Sequence, residues 1–151
     1  MSTTIEMLTP ARVLALWPKL EPLFAASCKS NEVGIMDITP ADILALSQTD
    51  KAVVFVVFEA GRPTLTFAIQ FTTTNGHKGA DIIALSGRSL LKFKSMFWKP
   101  LLDWLRANQV EFIDAYGTPE LANMYKTKFG FDRSCVMVRL ALTEKSDEQG
   151  S

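Results

Sequence analysis

Residues 80–116, ADIIALSGRSLLKFKSMFWKPLLDWLRANQVEFIDAY, decide the fold. ADIIALS (80–86) and VEFIDAY (110–116) are short runs rich in β-branched and aromatic residues, the composition of buried strands. Between them Leu90, Phe93, Phe97, Leu101 and Trp104 recur at three and four, which lines one face of a long helix reaching Asn108. Pro100 removes a donor from that helix and predicts a bend. Two strands joined by a helix pair in parallel, because only such a crossover returns the chain to the end of the sheet where it started.

Working outward, AVVFVVFEA (52–60) reads as a buried strand and TLTFAIQFTT (64–73) as the next, with EAGRP (59–63) as the turn between them. Asn75-Gly76 is a hairpin signal, and the strand at 80–86 returns from it, so these three strands form an antiparallel meander. Thr9-Pro10, Thr39-Pro40 and Thr118-Pro119 each place a capping hydroxyl before a proline suited to the first helical position. After the first, Val13, Trp17, Leu20 and Phe24 keep helical spacing, while Pro18 and Pro22 predict a kinked or split segment. Ile43, Leu44 and Leu46 follow the second in a short helix. TPELANMYKTKF (118–129) follows the third, and RSCVMVRLAL (133–142) reads as a last strand. The order expected is helix, helix, three strands, long helix, strand, helix, strand. That is an α/β fold with a mixed sheet, mostly antiparallel with one parallel crossover, and helices on both faces. Residues 1–143 are expected to form one domain, and 144–151 a disordered polar tail.

Composition removes several functions. The 151 residues are 48% hydrophobic, enough for a sizeable core, and 16 basic residues balance 16 acidic ones, so no global field draws the chain to nucleic acid or a membrane. Cys28 and Cys135 stand far apart without a CxxC pair, and the chain has one histidine, so neither zinc nor a disulfide framework is indicated. The start lacks a signal-like apolar core, and no apolar run approaches the roughly 20 residues of a membrane span. A cytoplasmic protein is expected.

The element order resembles that of the GNAT family, the acyl-CoA N-acyltransferases, and TPELANMYKTKFGF (118–131) resembles its Asn-x-x-Ala-x-x-Leu-Tyr-x-x-x-Gly-Phe helix. Met124-Tyr125 is laid on Leu-Tyr and Gly130-Phe131 on Gly-Phe, taking the tyrosine-to-glycine spacing as shared. LTPARVLALWPKLEPLFAAS (8–27) and LSGRSLLKFKSM (85–96) also look like small acetyltransferase-like proteins of tailed bacteriophages. The resemblance implies acetyl-CoA as co-substrate, an amine as acceptor, and Tyr125 as general acid facing the coenzyme sulfur. A phenol near pKa ~10 stays protonated while it donates to a leaving thiolate of pKa ~8.5. The structural alternative is that Tyr125 packs its ring on the sheet with the hydroxyl at the rim.

The same resemblance expects a pyrophosphate loop, Arg/Gln-x-x-Gly-x-Gly/Ala, ahead of the long helix, where backbone N–H groups grip phosphates. Here Gly87 is the loop's single glycine, followed by Arg88, Ser89 and Leu90, with Lys92 and Lys94 one turn on. Coenzyme-binding residues are then Gly87, Arg88, Ser89 and Lys92, with oxyanion support from backbone N–H groups of Ala84, Leu85 and Ser86. Arg88, Lys92, Lys94, Lys99 and Arg106, opposed by Asp103, are either a phosphate-facing patch or a solvated helix face. No general base is apparent. His77 falls in a hairpin turn, and Glu59 and Asp81 stand at strand edges without a visible partner. Trp17, Trp98 and Trp104 read as core anchors. A second reading is a non-catalytic member of the fold, a phage-encoded virion or host-interaction module; self-association or a protein partner is open in either reading.

Overall fold

Strand β2 (Val53–Glu59) is apolar at every position but its last because both of its faces are covered. Val54 and Val56 enter one core with Val13, Leu20, Phe24 and Ile43, whereas Phe55 and Val57 enter another with Phe67, Phe93, Leu101 and Leu105. Successive residues of a strand point to opposite faces, so a strand sandwiched between helix layers loses the polar alternation of a half-exposed one. The structure, a computed structural model, describes residues 2–27, 38–115 and 119–132 together with Leu140 and Leu142.

The sheet has the order β1-β2-β3-β4-β5. Strands β3 (Arg62–Thr74) and β4 (His77–Gly87) continue the antiparallel meander, and β5 (Phe112–Ala115) lies parallel to β4 as the crossover requires. Both hairpin turns carry two residues in the left-handed region: Ala60 and Gly61 at φ 51 and 77, Asn75 and Gly76 at φ 52 and 82. That is the primed turn whose twist matches the strands it joins.

Two expectations are corrected. The chain opens with a strand, β1 (Thr3–Leu8), antiparallel to β2 from Thr3↔Glu59 to Leu8↔Val54. As an edge strand it keeps polar residues at several positions, and of its six only Leu8 is fully buried, which hid it in the sequence. Helix α1 (Pro10–Ser27) runs unbroken through Pro18 and Pro22. The carbonyls those prolines leave without donors belong to Leu14 and Pro18, and Leu14, Pro18 and Pro22 all lie on the exposed face, where water serves. Helix α2 (Pro40–Gln48) starts as expected, in a reciprocal cap: the Asp42 N–H donates to Thr39 Oγ1 at 3.1 Å, and the Thr39 N–H to Asp42 Oδ2 at 2.8 Å.

The crossover helix has three parts, α3 (Leu90–Phe93), a π-helical turn (Lys94–Trp98) and α4 (Lys99–Ala107). The irregularity expected at Pro100 is thus taken up just before it, where the ladder widens. Leu105 and Phe93 are buried with Leu101, while Leu90, Phe97 and Trp104 pack at the core margin. Helix α5 (Pro119–Phe129) follows β5. The strand expected at 133–142 lies outside the described residues except for Leu140 and Leu142, which are exposed. Thr118, both cysteines and the tail at 144–151 also lie outside them.

The parallel register sets Asp81 directly beside Asp114. Burial first, and the neighbouring Asp114 charge second, push the Asp81 carboxyl above its ordinary pKa. An acid raised in the folded state costs stability while ionised, and the cost is relieved as the pH falls through that raised value toward the unfolded one. Asp81→Asn is therefore expected to stabilise the fold at neutral pH by about 0.5 kcal/mol, the scale of a like-charge cross-strand pair. Urea denaturation should show this gain near neutrality and its disappearance near pH ~4.

Candidate functional site

The described pairing of β4 with β5 runs from Gly79↔Phe112 to Ile82↔Ala115, and β4 continues to Gly87. Ile69 pairs with Ile82 and Ala68 with Ala84, so Ile83 is an extra residue that bulges β4 one residue past Ile82. Beyond it β4 has no ladder partner on the β5 side among the described residues. Alternate N–H and C=O groups of the stretch holding Ala84, Leu85 and Ser86 point to the side of β4 away from β3. Ala84 itself points into the core under α1, whereas Leu85 lies on the opposite face with Ile82.

Tyr125 sits on α5 against that opposite face and is 5% exposed. Its ring lies 5.1 Å from Phe131 and 6.2 Å from Phe129, and it closes a cavity with Phe67, Ile82, Leu85, Phe93, Trp98, Leu101 and Phe129. The cavity gives the centre of a water about 10 Å³, room for roughly one water molecule. The tyrosine is thus buried against the sheet and not at the rim where the packing alternative had its hydroxyl. Its hydroxyl has no hydrogen-bond partner among the described residues, and burial pushes the phenol well above its ordinary pKa. In this chain the tyrosine and glycine stand five positions apart, one more than in the motif laid over them. The helix end absorbs the extra residue, with the Phe131 N–H donating to the Tyr125 carbonyl at 3.2 Å.

The junction from β4 to α3 is very short. Gly87 adopts φ 126, and a Cβ there would collide with the Thr64 carbonyl oxygen, so only glycine fits. The Arg88 N–H donates to that same carbonyl at 2.8 Å and is not free to meet a phosphate. Ser89 is left-handed at φ 69, and its side chain does not cap the helix that begins at Leu90. Instead the Ser89 hydroxyl donates to Glu59 Oε2 at 3.0 Å, and Lys92 Nζ reaches Glu59 Oε1 at 2.7 Å. Lys92 and then Ser89 hold the Glu59 carboxyl below its usual pKa, with the Arg88 charge adding to the effect.

The expected binding residues Gly87, Arg88, Ser89 and Lys92 are therefore together, and a carboxylate already occupies two of them. Glu59, read as lacking a partner, is the residue sequence reasoning missed. It ends β2 at a turn, and only the meander brings that turn beside the end of β4. The rest of the basic patch is dispersed along the helix: Arg106 pairs with Asp103 at 3.2 Å, and Lys94 and Lys99 have no ion pair among the described residues. His77 pairs with Glu111 at 3.0 Å on the exposed surface. The tryptophans are anchors, as expected: Trp98 stands edge-on to Phe129 at 4.8 Å, Trp104 edge-on to Phe55 at 5.5 Å, and Trp17 lies 6.0 Å from Phe24. Among the described residues no group of three His, Cys, Asp or Glu side chains could hold a metal, and no helix is long and apolar enough to cross a membrane.

No protein-family model matches the sequence, and no curated protein matches it significantly. Solved structures do match its fold. An aminoglycoside acetyltransferase from an uncultured soil metagenomic sample superposes with a TM-score of 0.66 at 15% identity, over 95% of this chain and 100% of that one. A predicted acetyltransferase with acetyl-CoA from Clostridium acetobutylicum gives 0.61 at 12%, over 93% and 97%. Glucosamine-6-phosphate N-acetyltransferase from Arabidopsis thaliana gives 0.58 at 14%, over 95% and 100%. This chain shares its overall fold with these solved acetyltransferases. At such identities the likeness establishes the fold.

Gly87→Ala would force a Cβ against the Thr64 carbonyl at a backbone angle that side chains avoid. It is expected to cost about 2 kcal/mol or more of folding stability, read from the midpoint of urea denaturation.

Proposed function

We propose that the protein is an acyl-CoA-dependent acetyltransferase that moves an acetyl group to an amine, with Tyr125 donating to the departing thiolate. The observation that carries this reading is the position of Tyr125, which faces Ile82 and Leu85 on either side of the β4 bulge, just past the described pairing of β4 with β5. There a thioester could lie along the free edge of β4 and receive hydrogen bonds from backbone N–H groups of the Ala84–Ser86 stretch. The amine attacks the thioester carbon, the oxyanion collapses, the C–S bond breaks and the thiolate takes a hydrogen bond from the phenol. The amide nitrogen loses its extra proton to water. Burial raises the phenol, but the same apolar walls disfavour a thiolate, so both partners shift in the same direction and donation stays matched. Gly87, Arg88, Ser89 and Lys92 would face the coenzyme's phosphates, Arg88 through its side chain because its N–H is bonded to Thr64.

A second reading is favoured by one observation, the packing of Trp98, Phe129 and Phe93 around a cavity with space for a single water. A cleft so filled suits a non-catalytic module that keeps the fold for binding. The acetyltransferases named above lend nothing to the virion setting of that reading.

Calorimetric titration with acetyl-CoA separates the two, since a micromolar constant corresponds to about 8 kcal/mol and needs a gripped phosphate. On the enzyme reading Tyr125→Phe lowers turnover by roughly 10²-fold while acetyl-CoA affinity holds. Its folding stability should hold or rise slightly, because the hydroxyl lost has no partner among the described residues. Undiminished turnover in that variant removes the role from Tyr125, and absence of acetyl-CoA binding by both the parent and a variant lacking the Glu59 charge removes the reading.

A further inference from the structure

The groups best placed to meet a phosphate already hold an anion. Glu59 ends β2 and is itself 22% exposed, whereas the Lys92 side chain that reaches it is 49% exposed. Its two oxygens are divided between the two donors, Oε1 to Lys92 at 2.7 Å and Oε2 to Ser89 at 3.0 Å, and Arg88, the residue before Ser89, adds its charge. A carboxylate held by an ammonium and a hydroxyl at the start of a helix satisfies the same donors that a phosphate oxygen would. It is also fixed from the opposite side of the junction. Glu59 pairs across the sheet with Thr3 and Arg62, so its backbone does not move with α3.

We propose that the Glu59 carboxylate is an internal competitor for the coenzyme's phosphates, holding Ser89 and Lys92 until a phosphate displaces it. This rests on the acyl-CoA reading given above. A phosphate brought to Ser89 and Lys92 meets a like charge within the same cluster, so binding must break the Lys92–Glu59 contact and swing the carboxylate into water. The lowered pKa keeps Glu59 ionised at neutral pH, so acidification within the physiological range does not release the site. Competition of this kind sets a threshold on the ligand: a single weak anion does not displace a tethered carboxylate, whereas a ligand with several phosphate charges does.

An ion pair that merely braces the fold and an ion pair that masks a site respond differently to loss of each partner. Under the masking proposal, calorimetry with CoA on the full chain gives opposite signs. Glu59→Gln, which keeps the shape and a hydrogen bond to Ser89, binds CoA about fivefold more tightly, and Lys92→Met binds it about fivefold more weakly. A brace predicts that both lower the melting temperature and that neither improves CoA binding. If the parent binds CoA and Glu59→Gln binds it equally or less well, the competitor role is overturned and the acyl-CoA reading survives. If Glu59→Gln binds and the parent does not, both stand. If neither binds, both fall. Circular dichroism checks each variant's fold, and Glu59→Asp, which shortens the reach to Lys92, is read in the same way should Glu59→Gln fail to fold.

Discussion

Burial of the sheet on both faces is the constraint on which the rest of this structure depends. Strands β2, β3 and β4 carry Val54, Val56 and Ala68 into the core under α1 and α2, and Phe55, Phe67 and Ile82 into the core under the crossover helix. A strand so enclosed has no place for an unpaired polar group. The buried hydroxyls of Thr64 and Thr66 obey this, donating to the carbonyls of Val57 and Phe55 at 3.3 and 2.9 Å. Chemistry is thereby pushed to where the ladder ends. Under the acyl-CoA proposal that is the stretch of β4 past Ile82, which leads into α3 and shares a face with Tyr125 of α5.

The elements that two-sided burial dictates were legible in the sequence. A run such as VVFVVF can only be a covered strand, and a helix between two such runs can only be a crossover, so the meander, the parallel pair and the helices on both faces followed from pattern alone. The elements that escaped are those the constraint does not reach. TTIEML, at the sheet edge, has one fully buried side chain and reads as polar leader, and the prolines of α1 look like breaks until their carbonyls are seen to face water. The position of Pro100 told of an irregular helix, but the widened π turn before it depends on which carbonyls lack donors in three dimensions.

The site was half legible for a similar reason. Gly87, Arg88, Ser89 and Lys92 are neighbours in sequence and could be named together, whereas Glu59 lies about thirty residues away and joins them only through the pairing of β2 with β3 and β3 with β4. Tyr125 could be named from its helix, but its burial could not. Whether a phenol stands at a rim or is buried among rings depends on Trp98 and Phe129, which come from the π turn and from the last residue of α5. A gain or loss of one residue in either place would turn those rings elsewhere, since a helical position advances by about 100°. The extra residue between Tyr125 and Gly130 is such a change.

The shortness of the β4–α3 junction has a consequence for how this end of the sheet can recognise charge. A glycine-rich loop offers a phosphate several backbone N–H groups, which are rigid, uncharged and insensitive to side-chain identity. Here the one glycine is consumed by its contact with Thr64, and the next N–H by a hydrogen bond to the same carbonyl. What remains is side chains: a serine hydroxyl, a lysine and an arginine, gathered around Glu59. Recognition by side-chain charge is screened by salt and can be cancelled by a carboxylate on a neighbouring turn, neither of which holds for a nest of backbone amides. Under the acyl-CoA proposal, control of phosphate binding therefore passes to a residue on another hairpin, whose charge the fold holds in place before any ligand arrives.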